Sequence, residues 1–388
     1  MFNVEQIHSL LTPGVSILAL GADTRQRISW TLRVQGARGF KIYSLSPKKD
    51  FSDIREFYFQ AARLLKQKFC LRPDVITFDP HPNFVCQKEA DAIRRSYFSK
   101  ARLAPVFHHI AHAANFGIEV SPKKRFIVLT FDGTGFGQDN NVWGGEFFAY
   151  QDKMFKRLAH FEYQVLPGNE AAIREPWRVA LGILNKIYPK VTTRGITSTR
   201  FKFLEGMPSH KVAIVRQMIE KRFNAPLTSS VGRLFDAVCA ILGLKAVVVK
   251  EAEAAVILEN AAAKYKLRAQ SYAFDIKQKN GVLVAGTTLL FKEIVKDIAL
   301  NSPVEKIAYR FHVTLAHIIR KTCLKVSAKT GISDIYFSGG VFMNNVLVDE
   351  IKKVLIKDLQ LRLFFAKRPM TTDLGISQGQ IAAYCMER

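Results

Sequence analysis

Residues 126–137 read FIVLTFDGTGFG, an apolar run that ends in an aspartate and three glycines. The β-branched and aromatic residues predict a buried strand, and Gly133 and Gly135 would let the backbone after it approach a ligand closely. Successive N–H groups in such a loop can bind a phosphate, and the carboxylate of Asp132 could hold a metal or magnesium ion. Asp-Gly is also the usual dipeptide of a tight hairpin turn, so both interpretations stay open.

Two similar α/β lobes are predicted, because two β-rich starts each lead to a glycine-rich turn. The first start comprises VSILALG, ISWTLRV and FKIYSL, followed by a helix from about Ile54 to Lys68, and the charged segment SPKKR precedes the second start. A helical region then leads to a helix from about Val304 to Ala328, the strand DIYF and a last helix. We expect one lobe over residues 1–122 and a second over residues 123–388. The last helix of the second lobe could pack back on the first lobe.

The composition is that of a basic globular protein. The length of 388 residues allows two lobes, and the net charge of +24 leaves a nucleic-acid partner open without requiring one. No apolar run is long enough to span a bilayer and no signal peptide is recognisable, so we expect a cytoplasmic protein without a membrane partner. The five cysteines form no CxxC pair, which argues against zinc fingers and a disulfide scaffold.

The sequence HHIAH at residues 108–112 places two histidines four residues apart. On a helix, His108 and His112 project from the same face and can share one ion, for which iron and zinc suit imidazole. Such pairs also occur on ordinary helix surfaces. The position at a helix start directly after a strand favours a metal site, because open α/β sheets bind ligands there. His109 points elsewhere, and we expect it to have a structural role.

A further glycine-rich turn, SGGVFMNN at residues 338–345, follows the strand DIYF and opens a helix. This arrangement fits an anion or nucleotide site and an ordinary strand-to-helix turn about equally well. Neither a Walker A loop nor a GxGxxG fingerprint is present. Two other stretches, PGNEAAIREPWR with Arg174 and Arg178, and TSSVGRLFDA with Arg233 and Asp236, fit both a functional site and a salt-bridged helix surface.

The order and content of these segments resemble the C-terminal module of the hydrogenase-maturation carbamoyltransferases, the HypF family. PGNEAAIREPWR and TSSVGRLFDA distinguish this branch from the antibiotic O-carbamoyltransferases and the tRNA threonylcarbamoyl transferase. The resemblance implies a tandem actin-like (ASKHA) α/β fold with a nucleotide and a metal in the cleft between the lobes. The segments that carry it run from about Leu18 to the C-terminus and are DPHPN, HHIAHAAN, DGTGFGQDNNVWGGEF, LPGNEAAIREPWRVAL, TSSVGRLFDAVCAILGL, EAEAAVILE, SGGVFMNN and TDLGISQGQ.

The resemblance also implies roles for particular residues. One iron or zinc ion is expected to act as a Lewis acid beside ATP or carbamoyl adenylate. The implied metal ligands are His108, His112, Asp132 and Asp373. The implied nucleotide-binding residues are Gly133, Gly135, Gly232, Asp236, Gly339, Gly340 and Asn344. The candidate catalytic residues are Arg174 and Arg178.

In this family, carbamoyl adenylate made in a neighbouring domain passes to the module. The carbamoyl group then goes to the C-terminal cysteine thiolate of a partner in nickel–iron hydrogenase maturation. These 388 residues lack the acylphosphatase, zinc-finger and adenylate-forming domains of full members. We therefore expect two partners, the thiol-bearing maturation protein and a separate adenylate-forming domain or protein.

Several residues near the site depart from the family pattern. GADTRQR replaces GAELKNT, so the lysine of that loop is changed; KEAEAA, at residues 250–255, replaces YEG-AA, PGNEAA replaces PGGDAA, and Asp373-Leu374-Gly375 replaces DGG. The four implied metal ligands remain, and we expect a carbamoyltransferase. Two alternatives stay open: carbamoyl transfer to a small-molecule hydroxyl or a tRNA-linked acceptor, and a non-catalytic nucleotide-binding partner in maturation.

Overall fold

Strands and helices alternate in both predicted lobes. The computed structural model describes residues 2–7, 9, 14–33, 40–119, 125–188, 202–204, 207–365 and 372–388. The strands are β1 (Phe2–Ile7), β2 (Ile17–Ala19), β3 (Ile28–Arg33), β4 (Phe40–Pro47), β5 (Val75–Phe78), β6 (Arg102–Pro105), β7 (Phe126–Phe131), β8 (Gly145–Gln151), β9 (Met154–Phe161), β10 (Gln164–Val165), β11 (Leu227–Thr228), β12 (Ile276–Lys279), β13 (Val282–Ala285), β14 (Asp334–Ser338) and β15 (Arg362–Phe365). The helices are α1 (Ile54–Lys68), α2 (Val85–Tyr97), α3 (His108–Glu119), α4 (Glu170–Arg174), α5 (Trp177–Ile187), α6 (Ser209–Lys221), α7 (Val231–Ile241), α8 (Glu253–Lys264), α9 (Thr288–Ala299), α10 (Val304–Thr330), α11 (Asn345–Leu355) and α12 (Ile376–Met386).

Each lobe contains one mixed sheet, and the two sheets share a strand order. The first sheet has the order β1-β4-β3-β2-β5-β6, and the second has the order β12-β13-β9-β8-β7-β14-β15. In both sheets, the strand before the first glycine-bearing loop pairs antiparallel with the next strand in sequence and parallel with a later one. Strands β2, β5 and β6 therefore correspond to β7, β14 and β15. This correspondence confirms the prediction of two similar lobes.

The alternating faces of β7 show how the sheets are packed. Phe126 and Val128 belong to a core that also contains Ile17 of β2, whereas Ile127 and Leu129 belong to the main core of the second lobe. Side chains alternate across a strand, so apolar residues at every position produce a sheet that is buried on both faces. The core shared by the two sheets is built around helices α3 and α12.

Helices α3 and α12 cross with their backbones in contact. A Cβ atom at Gly379 of α12 would lie 2.1 Å from the carbonyl oxygen of Ala111 in α3. Only glycine permits this approach, because any side chain would overlap the Ala111 backbone. The next residue, Gln380, exchanges two 2.9 Å hydrogen bonds with the backbone of Gly21 after β2. The last helix is therefore bonded to elements of the first lobe.

The structure confirms the main predicted elements and adds others. The helix Ile54–Lys68 has the predicted bounds, and the long helix runs from Val304 to Thr330. Strand β1 and the hairpin β12–β13 were not predicted, because most residues of β1 and β12 are exposed and carry little apolar signal. Residues 121–124 of the predicted break lie outside the described residues, and the lobe boundary stays a prediction. Within the described ranges, no helix is both long and apolar enough to cross a membrane.

Replacing Gly379 with alanine is expected to destabilise the protein by about 2 kcal/mol or more, because the added methyl group forces α3 and α12 apart. Equilibrium unfolding in urea measures the change in free energy. Gly182→Ala in α5 is the matched control, since its nearest neighbour would be 3.5 Å away. A helical glycine without a clash should gain up to about 1 kcal/mol on this change. Equal effects of the two substitutions would contradict the steric explanation.

Candidate functional site

The four predicted metal ligands converge where α3 meets the start of α12. His108 and His112 lie on the first turns of α3, Asp132 follows β7, and Asp373 lies in a 3-10 turn directly before α12. One ligand atom from each of these residues lies within 4.8 Å of the others. The close helix crossing produces this arrangement, because it holds the beginning of α12 beside the paired histidines.

The distances between these donor atoms match those around a bound ion. Nε2 of His108 lies 3.7 Å from Oδ2 of Asp132 and 3.5 Å from Oδ1 of Asp373. Nε2 of His112 lies 3.6 Å and 3.4 Å from the same two oxygens. Four donors that each bind a tetrahedral ion at about 2.1 Å lie about 3.4 Å apart. Both Nε2 atoms are buried without a hydrogen-bond partner in the described chain, so the residues fit a metal such as iron or zinc.

The cluster also shifts the pKa values of its members. Burial lowers the pKa of His108, but Asp373, Asp132 and Asp79 outweigh it and raise this pKa well above its usual value. Burial acts to raise the pKa of Asp132, yet His108 and His112 hold it well below its usual range. Protons and a metal ion therefore compete for the same groups, and metal binding has to release protons.

Asp79 orients His108, a role that the sequence analysis missed. Oδ2 of this fully buried aspartate lies 2.8 Å from Nδ1 of His108. When Nδ1–H donates to the carboxylate, the Nε2 lone pair is left to face a metal. The sequence feature that could have revealed this role is the aspartate of DPHPN, which lies at the end of a predicted strand. Ser338 adds a second constraint by donating a 2.8 Å hydrogen bond to the carbonyl oxygen of His112.

Two of the predicted nucleotide-binding glycines have few neighbours in the chain. A Cβ atom on Gly133 would have only Nη2 of Arg233 within 4 Å, at 3.5 Å. A Cβ atom on Gly340 would have only Oδ1 of Asp132 within 4 Å, but at a crowded 3.0 Å. Gly133 therefore leaves room for a ligand beside the metal-ligand cluster, whereas Gly340 lies close against Asp132.

The other three glycines are required by contacts within the chain. Gly339 has a φ of +102°, and a Cβ atom there would lie 2.2 Å from the carbonyl oxygen of Phe131. A Cβ atom on Gly135 would lie 2.4 Å from the ring of His109, and one on Gly232 would lie 2.9 Å from the DGTG loop. The ring of His109 thus packs beneath this loop, in agreement with its expected structural role.

Asn344 caps helix α11, and both the oxygen and the nitrogen of its side-chain amide form hydrogen bonds. Oδ1 accepts a 2.8 Å hydrogen bond from the backbone of Leu347, and Nδ2 lies 3.1 Å from Nε2 of His312 in α10. Burial lowers the pKa of His312 to about 4, so the ring is neutral and its Nδ1–H donates to the carbonyl of Ala308. The helix that was predicted to open at SGGVFMNN is divided at this cap into the 3-10 turn Gly340–Met343 and α11.

Gly232 and Asp236 lie in α7, whose N-terminus meets the DGTG loop. The N–H of Gly232 donates a 3.3 Å hydrogen bond to the carbonyl oxygen of Asp132. Asp236 lies one turn deeper and forms a 2.9 Å ion pair with Arg233. Burial nevertheless raises the pKa of Asp236 to about 6, because desolvation outweighs the nearby guanidinium. The site therefore has a carboxyl group that takes up a proton at a higher pH than an exposed aspartate does.

The surroundings of the two predicted catalytic arginines differ from those of the predicted metal and nucleotide ligands. Arg174 is exposed at the end of α4. Arg178 forms an ion pair with Glu175 and lies over the ring of Trp177, 5.3 Å from its centroid. Within the described residues, neither arginine forms an ion pair with a metal-ligand carboxylate. Their catalytic role stays a prediction.

Two segments that depart from the family pattern, GADTRQR and KEAEAA, contact each other across the lobes. Arg25, in the GADTRQR loop, forms a 2.6 Å ion pair with Glu251, just before α8. Burial lowers the pKa of Arg25, but the negative charges of Glu251, Asp373 and Asp132 outweigh it and raise this pKa. Ala252 has a φ of +56°, a left-handed conformation that glycine adopts without strain. The chain thus keeps a cation at the lysine position of the loop and the backbone conformation of the missing glycine.

Comparison with known protein families identifies the chain. The family model described as "Carbamoyltransferase, Kae1-like Domain, second subdomain" matches residues 128–380, and that of the "HypF Kae1-like domain" matches residues 12–119. The chain belongs to the HypF carbamoyltransferase family. Crystal structures of full-length HypF in the phosphate- and nucleotide-bound form and of T. kodakarensis HypF resemble this HypF-family chain with TM-scores of 0.83 and 0.82 at 26% identity. Each likeness covers 98% of this chain, and 56% and 48% of those chains, and confirms the tandem actin-like fold.

Curated relatives support the same family. Carbamoyltransferase HypF2 of Cupriavidus necator is 28% identical over 96% of this chain and 47% of its own length. A probable carbamoyltransferase HypF of Methanocaldococcus jannaschii is 31% identical over 81% of this chain and 39% of its own length. A carbamoyltransferase HypF homolog of C. necator is 30% identical over 79% of this chain and 77% of its own length. The HypF-family chain thus spans about half or less of the first two relatives.

The purified protein is expected to contain about one iron or zinc ion per chain, since three protein ligands already suffice for such a site. Replacing His108 and His112 together with alanine should empty the site, as measured by elemental analysis after dialysis. His210→Ala on the exposed face of α6 is the control and should keep the metal. Full occupancy in the double variant would contradict the ligand assignment.

The neutral His312 is expected to make stability fall with acid. Its folded-state pKa of about 4 lies below the ordinary 6.5, so its contribution is present above pH 6.5 and is lost as the pH falls toward 4. The difference in unfolding free energy between the native chain and His312→Gln should shrink by roughly 2 kcal/mol from pH 7 to pH 5. Urea unfolding at each pH measures it. A difference that stays constant with pH would show that His312 does not titrate in this way.

Proposed function

We propose that this chain transfers a carbamoyl group from carbamoyl adenylate to the cysteine thiolate of a hydrogenase-maturation partner. The cluster of His108, His112, Asp132 and Asp373, in a chain of the HypF carbamoyltransferase family, carries this proposal. The nucleotide-bound state of a HypF structure with the same fold supports a nucleotide donor. ATP or carbamoyl adenylate is the proposed ligand, together with one iron or zinc ion and, when ATP is bound, magnesium.

The residues of the site suit this chemistry. When bound, the metal supplies a Lewis acid that can polarise an oxygen of the donor. The Asp79 carboxylate keeps His108 in the tautomer that faces the metal. The space over Gly133 leaves room for the donor beside Asp132. The proposed metal and the proposed donor would therefore bind next to each other.

The proposed step is an acyl transfer. The thiolate sulfur attacks the carbamoyl carbon and forms a carbon–sulfur bond. The bond from this carbon to the phosphate oxygen breaks, and AMP leaves with the electron pair. Negative charge develops on the phosphate group as AMP leaves, so a cation beside that group would favour the reaction.

With carbamoyl phosphate, ATP and a thiol acceptor, this chain alone is expected to give no net carbamoylation. The reason is that carbamoyl adenylate formation needs an adenylate-forming domain, whose motifs are absent from the 388 residues. Adding that domain in trans should restore transfer, measured by mass spectrometry as a carbamoyl group on the acceptor cysteine. His112→Ala should abolish the restored transfer, whereas exposed His210→Ala should keep it.

Turnover without the added domain would refute this division of labour. Inactivity in its presence, with the metal bound, would favour the non-catalytic nucleotide-binding alternative. Transfer to a hydroxyl compound or to tRNA in place of the thiol would support carbamoyltransferase activity but contradict the proposed acceptor.

A further inference from the structure

Arg233 occupies a position where an arginine is unfavourable for the fold alone. It lies in the first turn of α7, three residues after the N-cap Ser230. The N-terminus of a helix carries partial positive charge, so a cation there opposes the helix dipole. Its side chain is also buried, with 6% of the residue exposed to solvent. Residues that break such local rules without a compensating gain in packing are typical of functional sites.

The guanidinium of Arg233 is incompletely paired. Nη2 forms the 2.9 Å ion pair with Asp236. Nε and Nη1 are buried and have no hydrogen-bond partner among the residues that the structure describes. Buried donors, and charged ones above all, are normally satisfied. Two donors of a fixed planar fork therefore lack an acceptor, and an anion with several oxygens would supply it.

The surroundings place the guanidinium of Arg233 beside the space over Gly133. Nη2 of Arg233 is the nearest atom to the free space over Gly133. The backbone N–H groups of Gly133 and Thr134 also have no hydrogen-bond partner in the described ranges. The loop that contains them begins with the metal ligand Asp132. A phosphate group held here would contact both backbone and guanidinium donors and would lie beside the metal site.

Asp236 does not satisfy the donors of Arg233. Its carboxylate approaches only one nitrogen of the guanidinium, Nη2. The ion pair also lacks hydrogen-bond geometry, since Oδ2 of Asp236 has no hydrogen-bond partner in the described chain. Asp236 thus holds the guanidinium in place and leaves Nε and Nη1 without an acceptor.

We propose that Arg233, together with the N–H groups of Gly133 and Thr134, binds the phosphate group of the nucleotide donor beside the metal. The identity of the anion as a nucleotide phosphate rests on the proposed function. In the proposed transfer, this phosphate group leaves as part of AMP, so Arg233 contacts the group on which negative charge develops. Arg233 is therefore a substrate-binding residue, which decides between the two interpretations that the sequence left open for TSSVGRLFDA.

The test compares the native chain with Arg233→Gln by calorimetric titration with ATP, AMP, adenosine and inorganic pyrophosphate. ATP, AMP and pyrophosphate should bind about 10-fold or more weakly to the variant, because charge-assisted hydrogen bonds are lost. Adenosine should bind equally well to both. Arg63→Gln, on the exposed side of α1, removes the same charge and should change none of these affinities. Arg233→Lys keeps the charge without the planar fork and should give intermediate affinities, which also serves if Arg233→Gln fails to fold.

Unchanged ATP and pyrophosphate affinities in a folded Arg233 variant would overturn the inference and leave the proposed function in place. An equal loss of adenosine and ATP binding would also overturn it, because Arg233 would then act only by shaping the cleft. Arg233-dependent binding of pyrophosphate without any binding of ATP or AMP would support the anion site while contradicting the nucleotide part of the proposed function. Metal content and circular dichroism of each variant confirm that the fold is intact.

Discussion

The site depends on the contact between the backbones of α3 and α12. Gly379 allows this contact because no side chain intervenes between it and Ala111. The contact places the paired histidines of one helix beside the aspartate that precedes the other. Because the two helices also form the core shared by both sheets, the same packing that joins the lobes sets the spacing of the metal ligands. Stability of the fold and geometry of the site are therefore not separable at this position.

Sequence patterns could predict what is local in the chain. The four-residue spacing of His108 and His112 and the strand before Asp132 were visible directly, and the resemblance supplied Asp373. The ion pair of Arg25 with Glu251 spans 226 positions. The bond of Asp79 to His108 spans 29 positions and depends on the order of strands in the sheet. Such contacts follow from topology, which no spacing within one segment contains.

Glycines show a second limit of sequence reasoning. Gly133 and Gly339 look alike in the sequence, since each follows a buried strand in a glycine-rich turn. The structure separates them, because Gly133 faces free space and Gly339 lies against the backbone of Phe131. The sequence does not separate a glycine that is needed by the chain from a glycine that is needed by a ligand. Only the atoms that a Cβ would meet distinguish the two.

The predicted metal ligands come from separate segments of the chain, with His108 and His112 on α3, Asp132 after β7 and Asp373 before α12. An ion bound by all four would cross-link these segments, and its binding would stabilise the folded chain. A nucleotide that binds beside the ion and changes metal affinity must have its own affinity changed by the metal by the same factor. The occupancy of the metal and that of the nucleotide are then linked quantities.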